Sequence, residues 1–387
     1  MKIFRPFFFC LTVLFPPWSF CQAKNLPVFI SGQEGYKSYR IPALIRLTDG
    51  DLLAFCEGRT EGSSDFGNID IVMKRSGDQG RTWSRIQTIV DAGNLQAGNP
   101  APVVDLTDPA HPKGRIFLFY NTGNNSESEV RKGNGQREVF YKTSDDNGLT
   151  WSEPVNITAA VHPVNWRSYA NTPGHAMQFA RGKYKGRIFV AANHSAGDPQ
   201  KHFADYRAHG YYTDDHGLHF HLSADVNMPG GNENMAAELS HDRLMLNFRN
   251  QTGDVRSRAV AISSNGGAGW DTVYSDPRLP DPVCQGSILT IGERKGKNII
   301  AFCNNADTKQ RDNLTLRVSF DEGKTWAKHF VIGKSPENYK GAFTAYSDMA
   351  KLSKHEIGVL YEKDDYTEIV FTVVDWSNSP KGDTRYR

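Results

Sequence analysis

Short apolar phrases recur along this chain at a near-constant spacing, and a chain that repeats in this way must build a modular fold. Lys113-Gly-Arg-Ile-Phe-Leu-Phe-Tyr120 and Lys185-Gly-Arg-Ile-Phe-Val190 are near copies. Looser copies stand at Gly50–Phe55, Asp242–Asn247, Lys297–Phe302 and His355–Leu360. Their anchors fall at residues 50, 114, 186, 242, 297 and 355, a period of 55–72 residues. Each copy follows another short strand across a turn, as at Ile41–Leu47, Pro102–Leu106, Ala237–Leu239 and Ser287–Ile291. A second repeat follows several of these pairs. Ser76-Gly-Asp-Gln-Gly-Arg-Thr-Trp83, Ser144-Asp-Asp-Asn-Gly-Leu-Thr-Trp151 and Ser319-Phe-Asp-Glu-Gly-Lys-Thr-Trp326 share one pattern, and Thr213–Phe220 and Ser263–Trp270 are worn versions of it. In that octet the Asp accepts backbone N–H bonds across a tight turn, the Gly supplies a positive φ, and the Trp buries a large apolar face. A repeat of this length holds about four strands, which predicts propeller blades. The expectation is an all-β fold: one six-bladed β-propeller from about residue 27 to residue 387, without a second domain.

Strand polarity sorts the polar residues by end. In an antiparallel blade, the start of strand one, the end of strand two and the start of strand three share one end of the sheet. The octets occupy the opposite end. The first end then carries Arg40, Asn99, Glu238, Gln285 and Tyr346 at strand-one starts, and Arg59, Asn121, Arg249, Asn304 and Glu362 at strand-two ends. Asp65 lies in the loop before a third strand, and Arg258 and Arg311 lie near the starts of later ones. Arginine and glutamate are unusual on strands crowding an axis, so this end is the candidate site. Arg40, Arg258 and Arg311 come from three repeats yet are expected to converge at the axis, and such a cluster needs a counter-anion. The guanidinium fork fits a carboxylate. Arg256 is an alternative to Arg258, because residues two apart on a strand face the same side. Lys+Arg total 45 and Asp+Glu 43, a net charge of +2, so no basic field argues for nucleic acid. An acidic ligand must instead be held by a few placed cations.

The octets and Tyr39-Arg40-Ile41-Pro42 resemble the Asp boxes and the Phe/Tyr-Arg-Ile-Pro motif of the sialidases, and the resemblance covers essentially the whole body of the chain. It implies an exo-α-sialidase that removes terminal sialic acid from glycoproteins, glycolipids or oligosaccharides with retention, through a tyrosyl intermediate and without a cofactor. Arg40, Arg258 (in Arg-Ala-Val-Ala) and Arg311 (in Arg-x-x-Leu-Thr) resemble the triad that grips the sugar carboxylate, and Glu362 the glutamate that steadies the first arginine. Tyr346, in Ala-Tyr-Ser-Asp-Met, resembles the nucleophile, with Glu238 as its base and Glu233 as a rival. A phenol is neutral until deprotonated, so it approaches a carbon bearing a carboxylate with less repulsion than another carboxylate would. Asp65 resembles the acid/base aspartate, with Asp70 as a rival. Arg59 and Asn99 are then expected near the 4-hydroxyl, and Gln285 in the pocket. Two alternatives stay open: a trans-sialidase, including the intramolecular kind, and a non-catalytic propeller that binds protein or glycan.

Lys2 and Arg5 precede the apolar run Phe7–Phe15, and Cys21-Gln22-Ala23 closes a stretch that reads as a secretory signal cut after Ala23. Secretion or a periplasmic location is therefore expected, with the lysosome as the alternative in a eukaryotic host. No later stretch approaches the ~18 apolar residues of a membrane span, and a monomer is expected. Only Cys56, Cys284 and Cys303 follow the signal, too few for a disulfide framework. His209, His216, His219 and His221 lack metal-ligand spacing, so they are read as packing or solvated groups and no metal is called for.

Overall fold

The computed structural model of the chain describes residues 25–377, so the expected signal at residues 1–23 and the last ten residues lie outside the described part. The expectation of an all-β architecture holds, and the fold is a β-propeller. Leu52–Arg59 shows how the strands arise. All eight of its residues are buried, because the strand is sandwiched on both faces. Such a strand reads as a continuous apolar run rather than an alternation, which is why the repeated phrases were visible.

Hydrogen bonding groups the described strands into five antiparallel-rich sheets. Three contain four strands: Gly231–Glu238 through Thr272–Pro280, Gly286–Arg294 through Lys328–Gly333, and a last sheet. One has five strands, spanning Trp166–Asn171 to His221–Leu222. One has eight, running from Ser38–Arg46 to Val155–Asn156. Its halves meet at a parallel pair between Ile69 and Gln96. The last sheet joins the chain ends: Leu26–Ile30 pairs antiparallel with Glu368–Asp375, beside Glu356–Lys363 and Thr344–Lys351.

The first strands of successive repeats touch in sequence. Ser38–Arg46 meets Gln96–Asp105, which meets Met177–Gln178, then Gly231–Glu238, Gly286–Arg294 and Thr344–Lys351, which returns to Ser38–Arg46. This closes a ring. The larger apolar clusters lie between neighbouring repeats; one joins Val28, Phe29 and Phe371 to Leu44, Leu52 and Cys56. Cys56, Cys284 and Cys303 are buried and free.

The octets close as their composition demands. The Gly80 N–H donates to Ser76 Oγ at 2.8 Å, and the Thr82 N–H to Asp78 Oδ1 at 2.9 Å. The same pair of bonds recurs at Ser144/Asp146 and Ser319/Asp321. The worn copies keep the geometry with Thr213/Asp215 and Ser263/Asn265. Gly80 has φ +87°, and a Cβ there would lie 2.1 Å from Phe371 of the preceding repeat. Trp83 packs on that same Phe371, and Trp151 on Phe55, with ring centroids 5.5 and 6.0 Å apart. Each octet thus fastens one repeat to the one before it. Two of the discounted histidines take turn and packing roles: His219 bonds Asp215 within its octet, and His209 is buried beside His194.

Candidate functional site

At the end of the ring opposite the octets lies a cavity of about 320 Å³. Its floor is built around Tyr346, near the start of Thr344–Lys351. The phenol donates to Glu233 Oε1 in a short hydrogen bond. Arg249 Nη1 reaches Tyr346 Oη at 3.2 Å and Glu233 Oε2 at 2.7 Å. The guanidinium carbons of Arg40 and Arg311 stand 5.4 and 5.5 Å from the centre of the Tyr346 ring. Burial, and then the Glu233 charge, push the Tyr346 phenol well above its ordinary value, against the opposing pull of Arg249 and Arg311. The proton therefore rests on the phenol, with its acceptor already in place.

Arg40 is aimed by a strained turn. Ile41 has φ +62°, a genuine outlier for a β-branched residue, and the strand register slips between Arg40 and Ala43. Glu362, fully buried, holds this turn. It accepts from Arg40 Nε at 2.7 Å, from the Ile41 N–H at 2.8 Å and from the Tyr346 N–H at 3.1 Å. One carboxylate thus fixes both a cation and the phenol-bearing strand. Tyr366, which the sequence reading did not single out, lies under Arg40 at 4.1 Å, and Arg311 Nη1 donates to its hydroxyl at 2.9 Å.

Arg59, only 2% exposed, forks onto Glu57 at 3.0 and 2.6 Å and pairs with Asp65 at 2.7 Å. The Asp65 side chain is 82% exposed. Burial by the pocket rim would raise its carboxyl, but Arg59, followed by Arg40, outweighs that and holds it below the ordinary carboxylate value. Asn99 lines the cavity, its N–H on Glu57 Oε1 at 2.9 Å and its side chain on the Asn171 carbonyl. It too has a positive φ, and like Ile41 it precedes a proline.

Three expected members lie elsewhere. Glu238 does not reach Tyr346. It ends the strand that Glu233 nearly begins, accepts the Ala180 N–H at 2.9 Å, and lines a separate cleft with Arg181 and Asp242. The Gly-rich run from Met228 to Glu233 reads as a loop in sequence, yet its end opens the strand Gly231–Glu238, where Asn232 and Glu233 line the cavity. Arg258 is fully buried between sheets, on Asn247 at 2.8 Å, on the Cys284 carbonyl, and 3.7 Å from Asp281. Neither it nor Arg256 lines the cavity; Arg249, at the end of Leu244–Asn250, takes that place. Its strand-end position parallels that of Arg59 and was the available signal. Gln285 is 1% exposed and bonds the Pro173 and Ser347 carbonyls, so it braces the Tyr346 strand rather than meeting the cavity. Asp70, the rival to Asp65, is held by the Tyr36 hydroxyl at 2.7 Å and does not line it either.

Among the described residues, Asp105, Asp108 and His216 bring ligand atoms within 4.8 Å of one another. Asp105 is already engaged there by Thr107, Gln178 and His216, so the group is read as a structural hydrogen-bond cluster.

Fold and pocket together define a propeller protein that gathers a tyrosine, a glutamate bonded to it and three arginines in one cavity. A family model described as "BNR repeat-like domain" matches residues 50–361. The chain is 33% identical over 354 residues to a sialidase of Micromonospora viridifaciens, across 86% of this chain and 51% of the relative, so it spans about half that relative's length. It is 30% identical over 364 residues to an exo-alpha-sialidase of Arthroderma benhamiae, across 86% of this chain and 80% of the relative. Among solved structures, the Hadza microbial sialidase Hz136 superposes with a TM-score of 0.76 at 24% identity, covering 92% of this chain and 68% of that one. The intramolecular trans-sialidase of Ruminococcus gnavus gives 0.74 at 17% identity, covering 91% and 97%. The chain belongs to the sialidase family of BNR-repeat proteins.

Proposed function

We propose that the chain is an exo-α-sialidase acting on sialylated glycoproteins, glycolipids or oligosaccharides, with retention of configuration. The observation that carries this reading is the bond from Tyr346 to Glu233, set among Arg40, Arg249 and Arg311. Three guanidinium groups in one cavity, whose charge does not vary with pH, call for an anion, and a carboxylate fits their fork geometry. With the substrate carboxylate held there, the anomeric carbon lies at the phenol. Tyr346 attacks that carbon as its proton passes to Glu233, and Asp65 gives a proton to the departing oxygen. Water then attacks, losing its proton to Asp65, while Tyr346 leaves and regains its proton from Glu233. Asp65 starts ionised beside Arg59. A bound sugar acid covers its exposed side chain and brings a negative charge near, and both effects raise its affinity for a proton.

The same reading counts six blades around the pocket, taking the eight-stranded sheet as two because its halves meet at one parallel pair. It also includes export of the chain, as its N-terminal sequence suggests.

Release of a fluorogenic alcohol from an aryl α-ketoside of sialic acid tests the activity. Tyr346→Phe and Asp65→Ala are each expected to lower kcat/KM by about 10²–10⁴-fold. An inactive native chain across pH 4–9 overturns the proposal in favour of a binding propeller. Time-resolved NMR tests the stereochemistry: the α-anomer appears first if configuration is retained, and the β-anomer first contradicts it. An anhydro sugar as the product would mark intramolecular transfer instead of hydrolysis.

A further inference from the structure

The carboxylate clasp occupies one side of the cavity, and the opposite side is built from a different set of groups. Gln96, Asn121, Glu127, Arg137, Ser168 and Asn193 come from the second and third repeats. Arg137 is 8% exposed and bonds Gln96 Oε1. Among the described residues it has no carboxylate within ion-pair distance, and Glu127 and Glu57 act on it only from further off. Burial lowers its pKa, the mark of a cation short of partners. Elsewhere in the lining, Asn193 Nδ2, the Tyr169 hydroxyl and Gln251 Oε1 are buried without a hydrogen-bond partner. All three belong to cavity-lining residues. The least polar members of this wall are Ala170 and Tyr169, and Tyr169 brings an unpaired hydroxyl.

In a pyranose the carbon across the ring from the anomeric centre is C5 of a nonulosonic acid. With the carboxylate and anomeric carbon fixed at Arg40, Arg249, Arg311 and Tyr346, the C5 substituent would be directed across the cavity, toward the wall that holds Arg137. An acetamido group there would press a methyl against a guanidinium and carboxamides. That leaves their polar atoms unpaired, which is costly in a buried site. A hydroxyl both donates and accepts, and so suits Arg137, Gln96 and Asn193 together. We propose that Arg137 and its neighbours make this pocket select a sugar acid with a hydroxyl, rather than an acetamido group, at C5. This rests on the sialidase reading and narrows its substrate class.

The test compares kcat/KM of the native chain on matched aryl α-ketosides bearing a 5-hydroxyl, a 5-glycolylamido or a 5-acetamido group. The 5-hydroxy substrate is expected to lead the 5-acetamido one by at least about tenfold, since a site built to hydrogen-bond discriminates strongly against a group that cannot reciprocate. Arg137→Leu should narrow or reverse that ratio, acting mainly through KM. A native preference for the acetamido or glycolylamido substrate overturns the proposal while leaving the sialidase reading intact. So does an Arg137→Leu variant that is folded by circular dichroism and weakens all three equally. Failure to turn over any of the three overturns the sialidase reading itself. The native ratio decides the matter even if the variant does not fold.

Discussion

The Tyr346–Glu233 pair and the Glu362 anchor give separable expectations. Glu233→Gln removes the proton acceptor and should cut kcat/KM by about 10²–10⁴-fold. Glu238→Gln, on the far end of the same strand, should leave turnover within about twofold of native. Equal losses in a ketoside assay would place the base wrongly. Glu362→Ala strips a buried arginine of its counter-charge, a change that costs about 3–5 kcal/mol where both partners are desolvated. The expected outcome is a lower urea midpoint together with a raised KM, because Arg40 loses its aim. At this scale the sequence was legible where a motif named a residue, as for Arg40, Tyr346 and Asp65. It was illegible where the choice depended on strand phase. Glu233 against Glu238, and Arg249 against Arg258, are decided by which end of a strand meets the cavity, and a strand's start is hard to read when its first residues are polar for functional reasons. Gln285 illustrates the opposite trap: a polar residue beside the nucleophile strand that serves packing.

The repeated octet carries testable consequences for the elements it joins. Burial works to raise all three of Asp78, Asp146 and Asp215, most in the latter two, yet the N–H groups and side chains of the turn hold each at about 2. Their folded values lie below the unfolded one near 4, so their stabilisation is complete above about pH 4 and fades as pH falls toward 2. The thermal midpoint should drop through that window, and Asp146→Asn should flatten the drop; an unchanged slope would refute the assignment. Gly80→Ala meets both a positive φ and the ring of Phe371, so it should destabilise by about 1–3 kcal/mol in denaturant titration. These elements were the most legible part of the chain, since the turn chemistry is local: Ser, Asp, Gly and Trp at fixed offsets need no distant partner to define them. The eight-stranded sheet was not foreseen, because the bridge between Ile69 and Gln96 depends on how two loops approach each other.

For the molecule as a whole, the strand Leu26–Ile30 locks against Glu368–Asp375, joining positions more than three hundred residues apart. Phe29 is fully buried in the cluster that this strand shares with Phe371 and Leu44. Phe29→Ala should lower unfolding free energy by about 3–5 kcal/mol, read from equilibrium urea curves. It should do so without altering the pocket residues, so activity of the remaining folded protein is expected to persist. A loss of activity with unchanged stability would contradict that separation. The pairing of the two termini has one more result. A ribosome delivers Leu26–Ile30 more than three hundred residues before its mate, so the circle stays open until Glu368–Asp375 has emerged. Until that strand arrives the nascent propeller stays unfinished and dependent on whatever shelters it.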